Sequence, residues 1–251
     1  MKILTIVSAR TKSKRLPNKA LLEFCGSPMI LFLLKRMNLC TKSSGLILYT
    51  TTNKEDDILE NISFDNGFVC FRGHEEQHIK GKLDAAKSIG ADTIVRVTGD
   101  NPFTCPYLTD ILISRFKHGD LDYIRFGDLS ALPKPSKHYS IPEGVSAEVF
   151  SVEALEKVYD MCTDMVVCGD RLAYMFQEVE GLRTKVLSST EKLNRPQYRL
   201  TVDYMEDYQT IRSIYNIVGK EKISEYFSIF EIIKALDSGK VHIYNERMVA
   251  K

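Results

Sequence analysis

The 251-residue chain reads as an α/β protein, a three-layer α/β/α arrangement around a mostly parallel sheet with a hairpin or arm projecting from it. Three observations predict this class. Short, apolar, β-branched runs recur through the N-terminal half, helical segments alternate with them, and a proline-bearing stretch breaks the rhythm after Leu121.

Residues 3–7, 46–50, 68–71 and 93–97 are apolar runs of the kind buried on both faces of a parallel sheet. Between them, residues 28–39 open with Pro28 and carry Ile30, Leu33, Leu34 and Met37 on one helical face. Residues 56–63 and 79–89 follow the same spacing more loosely. This alternation calls for right-handed βαβ units, whose ligands sit beyond the carboxyl ends of the strands. Residues 122–126 and 146–150 read as further strands, flanking a segment with Pro133, Pro135 and Pro142. Ser151 is the expected N-cap of a helix through Tyr159, with Glu153 in its first turn, although Ala154 stands where a full capping box has Glu or Gln. Helices over 207–218 and 226–236 complete the chain. With no internal repeat and no linker composition, residues 1–251 are expected to form one domain.

Lysine and arginine number 34 against 33 acidic residues, a net charge of +1 that offers no electrostatic case for nucleic acid or an anionic membrane. The N-terminal apolar run is far too short for a signal core or a membrane span, so a cytoplasmic protein is expected. The six cysteines never occur as C-x-x-C and are read as buried free thiols. His74 and His78 are four apart but lack a third ligand, and are read as surface residues.

The most informative stretch is residues 9–19, where Arg10, Lys12, Lys14, Arg15 and Lys19 crowd into one loop directly after the first strand. Arg forks and Lys point charges hold phosphate oxygens, and Ser13 adds a hydroxyl donor, so a nucleoside triphosphate is the natural counter-charge. The loop contains no glycine. It is therefore neither a P-loop nor a dinucleotide turn, and side chains rather than backbone must do the holding. Asp100 follows another predicted strand through Thr98 and Gly99, which puts a carboxylate at the same edge. Next to phosphate it needs an intervening cation, and Mg²⁺ is the usual one. Asp203 precedes a helix, where a capping role competes with metal binding. Asp120 and Asp122 form a D-x-D at a strand start, the pattern of many sugar-nucleotide glycosyltransferases.

The pattern A-R-x-x-S-x-R-L-P-x-K, here Ala9, Arg10, Ser13, Arg15, Leu16, Pro17 and Lys19, resembles the N-terminal signature of the cytidylyltransferases that make CMP-activated sugar acids. The spore-coat polysaccharide branch is the most similar, with CMP-ulosonate and acylneuraminate synthetases as wider relatives. Residues 25–30, Phe71-Arg72-Gly73, residues 90–102 and Leu200-Thr201-Val202-Asp203 agree with later family blocks, so the resemblance spans residues 2 to about 218. It implies the nucleotide-diphospho-sugar-transferase-like form of the Rossmann-like fold. It implies transfer of CMP from CTP to a small acidic acceptor with release of pyrophosphate, and a homodimer with a contact arm within residues 126–150, 129–145 being the candidate segment. Arg10, Ser13, Arg15 and Lys19 would hold the triphosphate, Arg72 the base or ribose, and Asp100 and Asp203 the Mg²⁺. Arg15, Lys19 and Asp100 would act on the reacting phosphate.

Several acceptor-side positions depart from the family. Its Leu-Asp-Arg after the F-R-G block is lost in residues 75–82, Cys105 and Ser146 stand for acidic residues, and residues 168–174 lack an R-E-H-V-T-P-like segment. Two other readings thus stay open: a glycosyltransferase with Asp120 and Asp122 as its metal site, and a degenerate nucleotide-binding protein.

Overall fold

The computed structural model describes residues 1–127, 141–219 and 227–246. Its strands are β1 (Ile3–Ser8), β2 (Glu23–Phe24), β3 (Ser27–Pro28), β4 (Gly45–Thr51), β5 (Val69–Gly73), β6 (Thr93–Thr98), β7 (Tyr123–Phe126), β8 (Glu148–Ser151) and β9 (Thr184–Leu187). The α-helices are α1 (Met29–Met37), α2 (Asp57–Asp65), α3 (His78–Ser88), α4 (Pro106–His118), α5 (Val152–Met161), α6 (Met165–Asp170), α7 (Leu172–Glu178), α8 (Met205–Val218) and α9 (Ile229–Asp237).

The main sheet has seven strands in the order β5-β4-β1-β6-β8-β7-β9. Only β8 runs against its neighbours; the other ladders of this sheet are parallel. Strand parity divides the core into two layers, because side chains alternate between faces. Ile3, Val7, Val95, Val97 and Val149 face α1, α4, α8 and α9, while Leu4, Ile6, Ile94, Tyr123 and Phe150 face α3, α5 and α7. The three predicted layers are thus present, with apolar side chains filling both interfaces.

The predicted strands and helices are all found, with ends within three residues of those expected. Ser151 caps α5, its hydroxyl accepting the Ala154 N–H at 3.0 Å. Ser228 opens α9 with a capping box closed by Glu231. Six elements were not anticipated: β2, β3, α4, α6, α7 and β9. Residues 128–140 of the expected arm lie outside the described residues.

Two expectations need correction. Cys162 and Cys168 are joined as a disulfide, with Cα atoms 6.2 Å apart, because the turn from α5 into α6 folds back within six residues. Cys40 and Cys105 are buried thiols as expected, whereas Cys25 and Cys70 are only partly buried. His78 is half-buried at the start of α3 rather than on the surface. Burial, then Lys82 and Arg10, push its pKa down to about 4. Among the described residues, no helix is long and apolar enough to cross a membrane.

Candidate active site

At the carboxyl edge of β1, the basic loop is fixed through its own uncharged residues. The Thr11 N–H and hydroxyl both donate to Asp56 Oδ1 at 2.7 Å, and Asn18, in the left-handed region at φ 57°, donates its N–H to Thr11 O. Leu16 and Ala20 are buried in the core. The Asp56 carboxyl is held below its usual range: burial acts to raise it, and hydrogen bonds from Thr51 and Thr11 outweigh that. The loop is therefore pinned at its apolar and hydroxyl positions.

The loop following β6 touches the first loop closely. A Cβ on Gly99 would lie 2.7 Å from Ala9 Cβ and 2.8 Å from Ser8 O, so only glycine permits this approach. The Gly99 N–H donates to Ser8 O at 2.7 Å, and Asp100 follows directly.

Lys19 and two aspartates define the centre. The Lys19 ammonium donates to Asp100 Oδ2 at 2.9 Å, to Asp203 Oδ1 at 3.0 Å and to Val202 O at 2.9 Å. One nitrogen thus brings together carboxylates 103 positions apart, their oxygens within about 6 Å of each other. Arg15 donates to Asp203 Oδ1 at 2.5 Å, and its guanidinium lies 5.5 Å from the centroid of the Tyr204 ring. Asp203 does not cap α8. The N-cap is Tyr204, and Asp207 accepts the backbone N–H groups of Asp203 and Tyr204 at 2.9 Å.

Arg199, absent from the sequence reading, anchors this centre from behind. Its Nη1 donates to both Glu143 carboxylate oxygens at 2.8 Å, its Nη2 to Asp203 Oδ2 at 2.8 Å and its Nε to the fully buried Asp207 at 3.1 Å. Burial acts to raise the Asp203 carboxyl, but Lys19, Arg15 and Arg199 overcome it and hold the group ionised below its ordinary range. A hint of this role was the position of Arg199, four residues before Asp203 and next to the L-T-V-D block.

The remaining anticipated residues are spread along the same edge. Arg10 pairs with Glu75 at 3.0 Å, and Ser13 is half-buried in the loop. Arg72 donates to Thr51 O and Asn53 O and pairs with Asp57 and Glu60, tying β5 to β4 and the start of α2. A cavity of about 240 Å³ opens beside the centre, lined by Asp100, Asn101, Arg96, Arg125, Glu148 and Thr201 among others. Asp120 and Asp122 precede β7 and so lie at the opposite, amino edge of the sheet. Asp122 is also occupied by Arg183, which donates to it from its backbone at 2.7 Å and from Nε at 3.0 Å. Asp122 thus serves to hold β9 to β7, and among the described residues no cluster of three or more metal-ligating side chains forms there.

Comparison with known proteins agrees with this geometry. A sequence profile described as cytidylyltransferase matches residues 4–247. The spore coat polysaccharide biosynthesis protein SpsF of Bacillus subtilis is 30% identical over 224 residues, covering 87% of this chain and 88% of that protein. A cytidylyltransferase structure from Leptospira borgpetersenii superposes with a TM-score of 0.85 at 27% identity, covering 98% of both chains. A CMP:2-keto-3-deoxy-manno-octonic acid synthetase solved with CTP shares the fold, with a TM-score of 0.65 at 16% identity over 88% of this chain and all of that one. A profile match over nearly the whole length, on a sheet whose carboxyl edge gathers the signature residues, settles the class: the chain belongs to the cytidylyltransferase family and is a CTP-dependent nucleotidyltransferase.

Proposed function

We propose that the protein transfers CMP from CTP to a sugar acid, with release of pyrophosphate. The observation that carries this reading is the Lys19 ammonium bridging Asp100 and Asp203 at the edge where the cationic loop ends. Arg10, Ser13, Arg15 and Lys19 are assigned to the triphosphate, and Arg72, at the end of β5, to the base or ribose. Without nucleotide, the cations and carboxylates neutralise one another. Arrival of CTP gives Lys19 and Arg15 phosphate oxygens as partners and frees the two carboxylates for a cation.

Those carboxylates suit Mg²⁺. Among the described residues, no cluster of three or more His, Cys, Asp or Glu side chains forms a self-sufficient metal cage. Mg²⁺ typically binds through one or two carboxylates and takes its other ligands from phosphate and water. Bound by Asp100 and Asp203, it would supply charge to stabilise the phosphate oxygens. The chain's own part is positioning: Lys19 and Arg15 hold the triphosphate, and the cavity beside Asp100 presents the acceptor hydroxyl. That oxygen attacks the α-phosphorus, the bond from the α-phosphorus to the bridging oxygen breaks, pyrophosphate leaves with that oxygen, and the hydroxyl proton is lost.

Arg15→Ala is expected to weaken CTP binding by about 1.5 to 3 kcal/mol, the range for a charge-assisted hydrogen bond. Because its side chain is about half exposed (53%), the melting temperature should barely move. Calorimetric titration and thermal melting check both. The reaction itself is tested by pyrophosphate release from CTP against a panel of sugar acids and neutral hexoses. Release with an acid and not with hexoses supports the reading; CTP binding without release from any acid contradicts it.

A further inference from the structure

Two consecutive residues hold Arg15. Asp203 Oδ1 accepts from its guanidinium at 2.5 Å, and the same guanidinium lies over the ring of Tyr204, 5.5 Å from the ring centroid. A cation over an aromatic face is attracted by the ring's quadrupole, and this attraction consumes no hydrogen-bond donor. The two partners therefore differ in kind. The carboxylate uses N–H groups of Arg15, whereas the ring leaves them for another acceptor.

That difference matters when the site is loaded. Asp203 Oδ1 also accepts from Lys19 at 3.0 Å, and Oδ2 accepts from Arg199 at 2.8 Å. Once Arg15 turns to phosphate and Asp203 to a cation, the ion pair between them is given up. Arg15 is then a long side chain, about half exposed (53%), and holding it in one geometry costs rotamer entropy. Its backbone is already fixed by the neighbouring Leu16, which is buried in the core. Tyr204 is the partner that persists through the exchange, because a neutral ring neither attracts the metal nor competes with phosphate for the guanidinium.

The helix that Tyr204 opens does not account for a tyrosine there. An N-cap favours Ser, Thr, Asp or Asn, and at the start of α8 it is Asp207, at the third helical position, that accepts the Tyr204 N–H. Nor does core packing account for it, since Tyr204 is 36% exposed and Met205 beside it is 44% exposed. A large aromatic side chain at an exposed cap, with a cation over its face, breaks a local preference in the way that functional positions do.

We propose that Tyr204 is a positioning residue of the triphosphate site, its ring keeping the Arg15 guanidinium in its phosphate-binding place after Asp203 has turned to the metal. This rests on the cytidylyltransferase reading and adds to it the residue that organises Arg15 in the loaded state. Tyr204 acts through Arg15 and not by touching the nucleotide.

Calorimetric titration of CTP with Mg²⁺, paired with thermal melting, tests this. Tyr204→Ser removes the ring and supplies a better cap, so CTP affinity should fall about 2- to 5-fold while the melting temperature holds or rises. Tyr204→Leu, apolar but without a quadrupole, should lose affinity to the same degree. Tyr204→Phe should restore it, because the ring and not the hydroxyl holds Arg15. In an Arg15→Ala background, Tyr204→Ser should cost nothing further, since the two side chains act as one unit. An equal loss in that background would show that Tyr204 meets the nucleotide itself, and would overturn the proposal. Full affinity in Tyr204→Ser, a Phe variant as weak as the Ser variant, or a melting temperature that falls along with affinity would overturn it too. Failure of the underlying reading shows differently, as a wild type that does not bind CTP.

Discussion

Asp203→Asn is expected to lower metal-dependent turnover by about 10²- to 10³-fold, as is Asp100→Asn, with the double variant little worse than either single. The two carboxylates share the Lys19 ammonium, and a cation binding both would serve the same triphosphate. Removing one carboxylate already disables the unit, so the second removal has little left to lose. A capping role for Asp203 would predict near-normal activity, because Asn caps as well as Asp. The structure already assigns the N-cap of α8 to Tyr204, with Asp207 receiving the terminal N–H groups. Kinetics of the two singles and the double at saturating Mg²⁺ decide the point. Additive losses would mean that the carboxylates act separately.

Arg199→Met should destabilise the fold by about 3 to 5 kcal/mol, the cost of leaving buried carboxylates without their cation. Glu143, Asp203 and Asp207 all rest on this one guanidinium, and Asp207 is fully buried. The pH dependence distinguishes this cause from a packing defect. Burial already pushes the Glu143 carboxyl above its ordinary range against the pull of Arg199. Without Arg199, the Glu143 carboxyl would bind its proton still more tightly in the folded than in the unfolded chain. The folded variant then holds the extra proton, so its stability rises relative to wild type as pH falls from 7 toward the ordinary carboxylate range near 4. Urea denaturation at several pH values reads both effects. A loss under about 1 kcal/mol, or a gap to wild type that does not narrow with acid, would show that Arg199 is not the electrostatic anchor.

Much of this architecture is legible from sequence because β1, β4, β5 and β6 sit in parallel register, three of them between two helical layers, and parallel strands buried on both faces read as unbroken apolar runs. The phosphate-seeking loop is legible for a related reason: its cations are contiguous and follow a strand. Other elements left weaker traces. Helix α4 is the exception: Leu108, Thr109, Leu112, Ile113 and Phe116 form one buried helical face behind Pro106, a stripe that the sequence carries and the reading passed over. Helices α6 and α7 span six and seven residues, too short for periodicity to register, and the four residues of β9 include a lysine.

The centre itself depends on long-range register. Nothing local joins Asp100 to Asp203, and only the family resemblance paired them; the fold does so through Lys19. Arg199 meets Glu143 across 56 positions, and Arg96, Glu148 and Arg125 align only once an antiparallel β8 is inserted between two strands of the other sense. Asp56 read as the start of a helix, whereas its carboxylate fastens the basic loop through Thr11. Sequence reasoning recovers charges that cluster along the chain and misses those gathered by strand order.

The central claim is that Lys19, Asp100 and Asp203 form one site for a metal-complexed triphosphate. It is tested most directly by calorimetric titration of CTP into wild type and Asp100→Asn, each with Mg²⁺ and with a chelator. Wild type should bind CTP at least about tenfold more tightly with Mg²⁺, and Asp100→Asn should lose that gain while still binding metal-free CTP through the basic loop. A CTP affinity indifferent to Mg²⁺ in wild type, or a Mg²⁺ gain undiminished in Asp100→Asn, would contradict it.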